Sequence, residues 1–185
     1  MWPPMARLWW KKTYAQYVQD IRRAVTYFKE NIPDIKGKRV GIMSRNCYEY
    51  GVNSFGAILA GAVVVPSTRK KKTWPELEYE LGLVEPSLIV NDGIDYGCRP
   101  DIEAAYGDKL RPMDAFKDSA PAELVDCVGH DDLMVLMFTS GTTGRSKAVM
   151  LSERNFLPLW SARSNSATPC WTISTSICPR TKTTS

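Results

Sequence analysis

The chain has 185 residues, of which 44% are hydrophobic, so it has enough apolar content for one domain or part of a larger one. Its formal net charge of +4 is modest. The basic run at residues 69–72 is too short to indicate a nucleic-acid-binding face, and a solvated loop is the preferred interpretation. The longest apolar stretch, residues 55–65, is about half the length that a bilayer span needs.

The cysteines and the N-terminal residues indicate the cellular compartment in which the protein is expected. Five cysteines lie at irregular spacings without a Cys-x-x-Cys pair, and the first residues lack the pattern of a secretory signal. We therefore expect reduced thiols and a cytoplasmic location. The single histidine, His130, is predicted to be a loop residue, part of neither a zinc site nor a Ser-His-Asp triad. Residues 9–12 (Trp-Trp-Lys-Lys) leave peripheral membrane contact open, although a packed aromatic edge is preferred.

The first predicted element is an amphipathic helix. Thr13 and Gln16 form the pattern of a capping box, which predicts the helix start. Pro33 and Gly37 are expected to end it. Apolar residues at three- and four-residue steps predict one buried face, made of Tyr14, Tyr17, Val18, Ile21, Val25 and Phe28.

Strand and helix patterns then alternate. A second capping box, Thr73 with Glu76, opens one of the helices, and Pro66 is expected to stop the strand before it. Short connections between alternating strands and helices predict an α/β fold with a mostly parallel sheet and helices on both faces. The predicted strands are residues 39–43, 62–65 and 87–90, and the predicted helices are residues 50–60, the segment opening at 73, and a short one near 102–106.

A polar, glycine-containing segment at residues 138–147 is the strongest functional signal. Apolar runs flank it, so it is predicted to be a loop between two buried strands. Glycines let backbone N–H groups converge on an anion, hydroxyls add donors, and Lys147 adds a positive charge. The pattern indicates a phosphate-binding loop, with an ordinary polar surface loop as the alternative. Two residues separate Gly141 from Gly144, which excludes the common P-loop spacing, and a predicted strand after the loop excludes the dinucleotide fingerprint.

Residues 138–149 resemble the signature loop of the adenylate-forming superfamily, Tyr/Phe-Thr-Ser-Gly-Ser/Thr-Thr-Gly-x-Pro-Lys-Gly-Val. Ten of the twelve positions match or are free; Ser146 replaces proline and Ala148 replaces glycine. Weaker collinear matches extend from Lys12 to Phe156, at Thr13-Tyr14, Lys36-Gly37-Lys38-Arg39-Val40, Asn46, Gly61-Ala62-Val63-Val64-Val65-Pro66 and Glu76-Leu77. The resemblance implies the incomplete N-terminal part of the large domain of these enzymes.

The resemblance also implies a chemistry. In this family a carboxylate attacks the α-phosphorus of ATP, and a thiol, usually that of coenzyme A, then takes the acyl group from the acyl-adenylate. ATP, Mg²⁺ and coenzyme A are the implied cofactors, and a small-molecule carboxylic acid is the implied partner. The implied cofactor-binding residues are Thr139, Ser140, Gly141, Thr142, Thr143, Gly144 and Lys147, with Thr139 near Mg²⁺.

The resemblance leaves open which acid is activated, and a function of a different class is also considered. Residues 150–155 look most like acyl-CoA synthetases for fatty acids. An adenylation domain for an amino or aryl acid is the alternative enzyme. A non-catalytic module that binds nucleotides or other anions is the alternative of a different class.

Later motifs of the family have no counterpart in this sequence. These are the Tyr-Gly-x-Thr-Glu segment, the ribose-binding aspartate and the C-terminal lysine. We therefore expect no catalytic residue here and an inactive fragment of a ligase. From residue 157 onward the sequence contains no Asp, Glu or Gly and is rich in Ser and Thr. We divide the chain into a partial AMP-binding domain, 1–156, and an atypical tail, 157–185, for which a shifted reading frame is preferred over disorder.

Overall fold

Helices and strands alternate through the computed structural model, which describes residues 12–67, 73–93, 98–124, 129–139 and 146–156. Two 3₁₀ turns, Gly107–Lys109 and Ala115–Asp118, accompany them. The elements are α1 (Tyr14–Asn31), β1 (Arg39–Met43), α2 (Tyr48–Leu59), β2 (Val63–Ser67), α3 (Trp74–Val84), β3 (Leu88–Asn91), α4 (Arg99–Tyr106), β4 (Leu110–Pro112), β5 (Leu133–Thr139) and β6 (Lys147–Ser152).

The strands form one six-stranded sheet in the order β4-β3-β1-β2-β5-β6. The pairs among β1 to β5 are parallel, and β6 pairs with β5 in the antiparallel direction. The α/β fold with a mostly parallel sheet is thus confirmed.

Apolar side chains cover the sheet on both faces. On one face, Val40 and Ile42 of β1 pack with Val25 and Phe28 of α1 and with side chains of α2. On the other face, Met43, together with side chains of β3, α3 and α4, forms a second, smaller core. Successive strand residues point to opposite faces, so a strand buried on both sides reads as a continuous apolar run.

The two capping boxes placed the starts of α1 and α3 correctly. The Thr13 backbone N–H donates to Gln16 Oε1 at 2.9 Å, and the Gln16 N–H donates to Thr13 Oγ1 at 3.2 Å. In the second box the Thr73 N–H donates to Glu76 Oε2 at 2.8 Å. The helices α2 and α4 begin two and three residues before their predicted starts. Residues 153–156 are helical after β6.

Two expectations about the elements are wrong, and one strand was not predicted. Pro66 does not stop β2, because it pairs with Ile42 inside the sheet; proline removes one donor but keeps an extended backbone. Tyr14 is 82% exposed, since it begins α1 at a point that lies beyond the packed helix face. The strand β4 was not predicted, because three residues that include a proline show no alternation.

Candidate phosphate-binding loop

The signature loop connects the two strands of a β-hairpin. Strands β5 and β6 pair from Leu133↔Ser152 to Thr139↔Lys147, so Thr139 and Lys147 close the described part of the hairpin. Five predicted binding residues lie outside the described residues: Ser140, Gly141, Thr142, Thr143 and Gly144. The structure therefore gives the two ends of the loop.

Thr139 and Lys147 lie directly opposite each other at the end of this hairpin. Side chains at paired positions of antiparallel strands share one face. Both residues are exposed, and Thr139 Oγ1 donates to the Lys147 carbonyl oxygen at 3.4 Å. The exposed ammonium group of Lys147 at this position suits a phosphate oxygen, because hydrogen bonds to ionised groups are stronger than neutral ones.

The same residues give a limited fit to Mg²⁺. The ion takes oxygen ligands, commonly carboxylates, phosphates and water, and a threonine hydroxyl is one such oxygen. Within the described ranges, no group of three His, Cys, Asp or Glu side chains could hold a metal ion. The residues therefore fit an ion that arrives with phosphates better than one held in a protein cage.

Thr139, the described start of the loop, lies at the edge of the sheet where ligands bind in open α/β folds. β5 runs parallel to β2, its neighbour, so both strands end at the same edge. Ligands in such sheets bind outside the carboxyl ends of the strands. The basic run 69–72 comes after β2 in the sequence and lies outside the described residues.

The strands that carry the loop are less buried than expected. Met137 of β5 is 44% exposed, and Val149 and Met150 of β6 are 39% and 65% exposed. β6 is the last strand of the sheet, with no further strand beside it in the part of the chain that is described. The prediction of two buried strands is wrong, because an apolar run indicates a strand but not what covers it.

A turn at residues 129–132 precedes β5. Asp132 Oδ2 accepts a hydrogen bond from the Gly129 N–H at 2.9 Å and lies 3.0 Å from Lys36 Nζ. The backbone donor first, and then the lysine, lower the pKa of the Asp132 carboxyl below its ordinary value. His130 lies in this turn, which confirms its prediction as a loop residue.

Sequence patterns gave no signal for a cavity of about 520 Å³ at the carboxyl ends of β1, β3 and β4. Neither Thr139 nor Lys147, the two described residues of the predicted loop site, lines it. Two of its basic side chains are paired with acids: Arg45 Nε lies 3.4 Å from Asp92 Oδ2, and Lys117 Nζ lies 3.0 Å from Asp114 Oδ2. The Arg45–Asp92 pair joins residues 47 positions apart, which only the fold brings together.

Comparison with known proteins identifies the relatives of this chain. The AMP-binding enzyme family matches residues 5–179. A steroid-22-oyl-CoA synthetase of Rhodococcus jostii is 34% identical over 128 residues, which are 62% of this chain and 22% of that protein. A crotonobetaine/carnitine–CoA ligase of Citrobacter koseri is 25% identical over 187 residues, covering 84% of this chain and 36% of that protein.

The chain is also similar to solved structures. The ATP-bound MatB of Rhodopseudomonas palustris matches with a TM-score of 0.69 and 28% identity, covering 79% of this chain and 30% of that one. The chain thus spans between about a fifth and a third of the length of these relatives. In the described part of the chain, no helix is long and apolar enough to cross a membrane. Because the family match covers residues 5–179, most of the chain, the chain belongs to the AMP-binding, or adenylate-forming, enzyme family.

Proposed function

We propose that this chain is part of an ATP-dependent acid–thiol ligase and contributes the loop that binds the β- and γ-phosphates of ATP. The observation that carries the proposal is the pairing of Thr139 with Lys147 at the end of the hairpin. This pairing brings a hydroxyl and an ammonium group to the two ends of a loop with the family's signature. Family membership and the CoA ligases among the relatives support the same reaction class.

In the proposed reaction the loop positions phosphates and stabilises charge. Attack of a carboxylate on the α-phosphorus releases pyrophosphate, on which negative charge accumulates in the transition state. Lys147 and the hydroxyls of Ser140, Thr142 and Thr143 are proposed to face that charge, together with the amides of Gly141 and Gly144. Thr139 is proposed to lie beside Mg²⁺, which supplies further neutralisation of the phosphates when bound.

The finer parts of the proposal concern the acid and the acceptor. We propose a carboxylic acid of the fatty-acid class, on the likeness of residues 150–155, and coenzyme A as the acceptor. The named relatives act on different acids, a steroid acid in one case and crotonobetaine or carnitine in another. A cytoplasmic location and the division of the chain at residue 156 stay predictions, and the family match extends beyond that division to residue 179.

Binding of Mg²⁺-tripolyphosphate and of Mg²⁺-ATP by the purified chain tests the loop. Lys147→Ala removes the proposed counter-charge and is expected to weaken both affinities by about tenfold, the equivalent of roughly 1.4 kcal/mol. Lys117→Ala is the matched control, since Lys117 is an exposed lysine already paired with Asp114. Equal affinities of the wild-type chain and the Lys147→Ala variant, measured by calorimetry, would contradict the assignment of this loop.

A further inference from the structure

The two ends of the hairpin that carries the signature loop are joined at its base. The turn at 129–132 precedes β5, and the helical residues 153–156 follow β6. The Arg154 N–H donates to the His130 carbonyl oxygen at 3.0 Å, and the Glu153 N–H donates to the Asp132 carbonyl oxygen at 3.3 Å. These backbone bonds lie at the opposite end of the hairpin from Thr139 and Lys147.

A histidine and a buried carboxylate oxygen meet across this junction. His130 Nδ1 lies 2.9 Å from Glu153 Oε2. The Oε2 atom is shielded from solvent and accepts no hydrogen bond from any described group. A buried acceptor without a donor is costly, and a proton on Nδ1 is the donor that this geometry supplies. The imidazole itself is largely exposed, with 69% of its side chain accessible, so it exchanges protons freely with water.

We propose that His130 and Glu153 form a proton-dependent clasp at the base of this hairpin. When the imidazole carries a proton on Nδ1, it satisfies Glu153 Oε2 and holds the turn before β5 against the helix after β6. The clasp thereby positions the loop at the other end of the hairpin. Only the positioning of the loop rests on the proposed function. The contact between His130 and Glu153 does not depend on that function.

Charged groups of both signs lie at this junction. The Glu153 carboxylate faces His130, and two cations, Arg154 and Lys36, pair with the carboxylates of Asp131 and Asp132. Arg154 Nη2 lies 3.0 Å from Asp131 Oδ1, and Lys36 Nζ lies 3.0 Å from Asp132 Oδ2. With three carboxylates against two cations, a positive imidazole makes the cluster neutral. A neutral imidazole with its proton on Nδ1 donates a hydrogen bond alone, whereas an imidazolium ion adds charge attraction to Glu153. Since histidine side chains in general change charge between about pH 5 and pH 8, we expect a stronger contact at the lower pH.

Hydrogen exchange at residues 153 and 154 in the 185-residue chain tests the clasp, because their amides make the bonds across the junction. His130→Gln and Glu153→Gln are each compared with the wild-type chain at pH 5.5 and pH 8.0. We expect exchange about two- to fivefold faster in both variants at pH 5.5, the range for an exposed ion pair, and less than twofold faster at pH 8.0. Lys117→Gln, which breaks an exposed pair with Asp114, is expected to leave these amides unchanged at both pH values.

The result separates the clasp from the proposed function. Equal exchange in the variants and the wild-type chain at pH 5.5, or equal acceleration at both pH values, would overturn the proton-dependent clasp. In the same samples, Mg²⁺-tripolyphosphate affinity is expected to fall in both clasp variants at pH 5.5. If exchange responds but the wild-type chain binds no tripolyphosphate, the clasp stands and the phosphate-binding function fails. Circular dichroism checks that each variant is folded.

Discussion

Asp132 holds the turn before β5 through its charged form. Its carboxylate accepts a hydrogen bond from the Gly129 N–H and faces the ammonium group of Lys36. Both interactions favour the ionised carboxyl, and they lower its pKa in the folded chain. A group with a lowered pKa stabilises the folded state above its ordinary pKa, and this contribution disappears as pH falls through the lowered value.

Replacement of Asp132 with asparagine is therefore expected to lower the urea midpoint between pH 5 and pH 8. The difference from the wild-type chain is expected to shrink as pH falls through the lowered pKa of Asp132, because the wild-type carboxyl then becomes protonated as well. Asp118→Asn, at an exposed aspartate in the second 3₁₀ turn, is the control and should give a much smaller difference. A midpoint difference that persists unchanged at pH 3 would show that charge is not the cause.

At the scale of elements, the packing of α1 against α2 depends on a glycine. Gly56 lies in α2 where the two helices approach closely, and a Cβ placed there would overlap with the Cβ of Ala24 in α1. Both residues are buried. Such a close approach fixes the distance between the two helices that cover one face of the sheet, and no side chain larger than hydrogen fits without a shift of the backbone.

Gly56→Ala is expected to destabilise the chain by about 1–3 kcal/mol, the usual range for overpacking a filled core. Gly82→Ala is the matched control, because Gly82 is also a helical glycine but has no atoms within 4 Å of the position that an alanine methyl group would take. There the gain in helix propensity is expected to stabilise the chain by up to about 1 kcal/mol. Chemical denaturation measures the free energy of unfolding of both variants. Equal effects of the two substitutions would contradict the packing argument.

At the scale of the whole molecule, the sheet ends in a half-exposed hairpin. Exposed apolar side chains on β5 and β6 lie beside the sheet edge. The chain spans between 22% and 36% of the length of the curated relatives compared above. A ligase reaction needs groups on several sides of its substrates, so the hairpin is proposed to contribute one part of such a site.

We expect the 185-residue chain alone to show no acyl-dependent exchange of pyrophosphate into ATP. The loop is proposed to contact phosphates, but the sequence contains none of the family's later motifs for the ribose, for Mg²⁺ or for the catalytic lysine. An isotope-exchange assay with fatty acids of several lengths measures this, with a full-length relative as the positive control. Acid-dependent exchange by the chain would refute its inactivity. Lys147-dependent nucleotide binding without exchange is the expected result.

Interactions between residues close in sequence were predictable without the fold. Thr13 with Gln16, and Thr73 with Glu76, bond over a single helical turn, so their spacing alone indicates where α1 and α3 begin. Continuous apolar runs indicated strands buried on both faces, and these strands form the parallel sheet. The signature at residues 138–149 indicated the family, because ten of its twelve positions match or are free in the family's pattern.

Tertiary structure decided what depends on distant parts of the chain. Burial of β5 and β6 depends on what covers them, so their apolar sequence gave the wrong answer. Asp131 meets Arg154 across 23 residues, and His130 meets Glu153 at the same junction, because the hairpin brings both ends together. The sequence by itself determined the starts of α1 and α3, the sheet type and the family. The fold decided which side chains meet, since only the backbone path brings such groups within bonding distance.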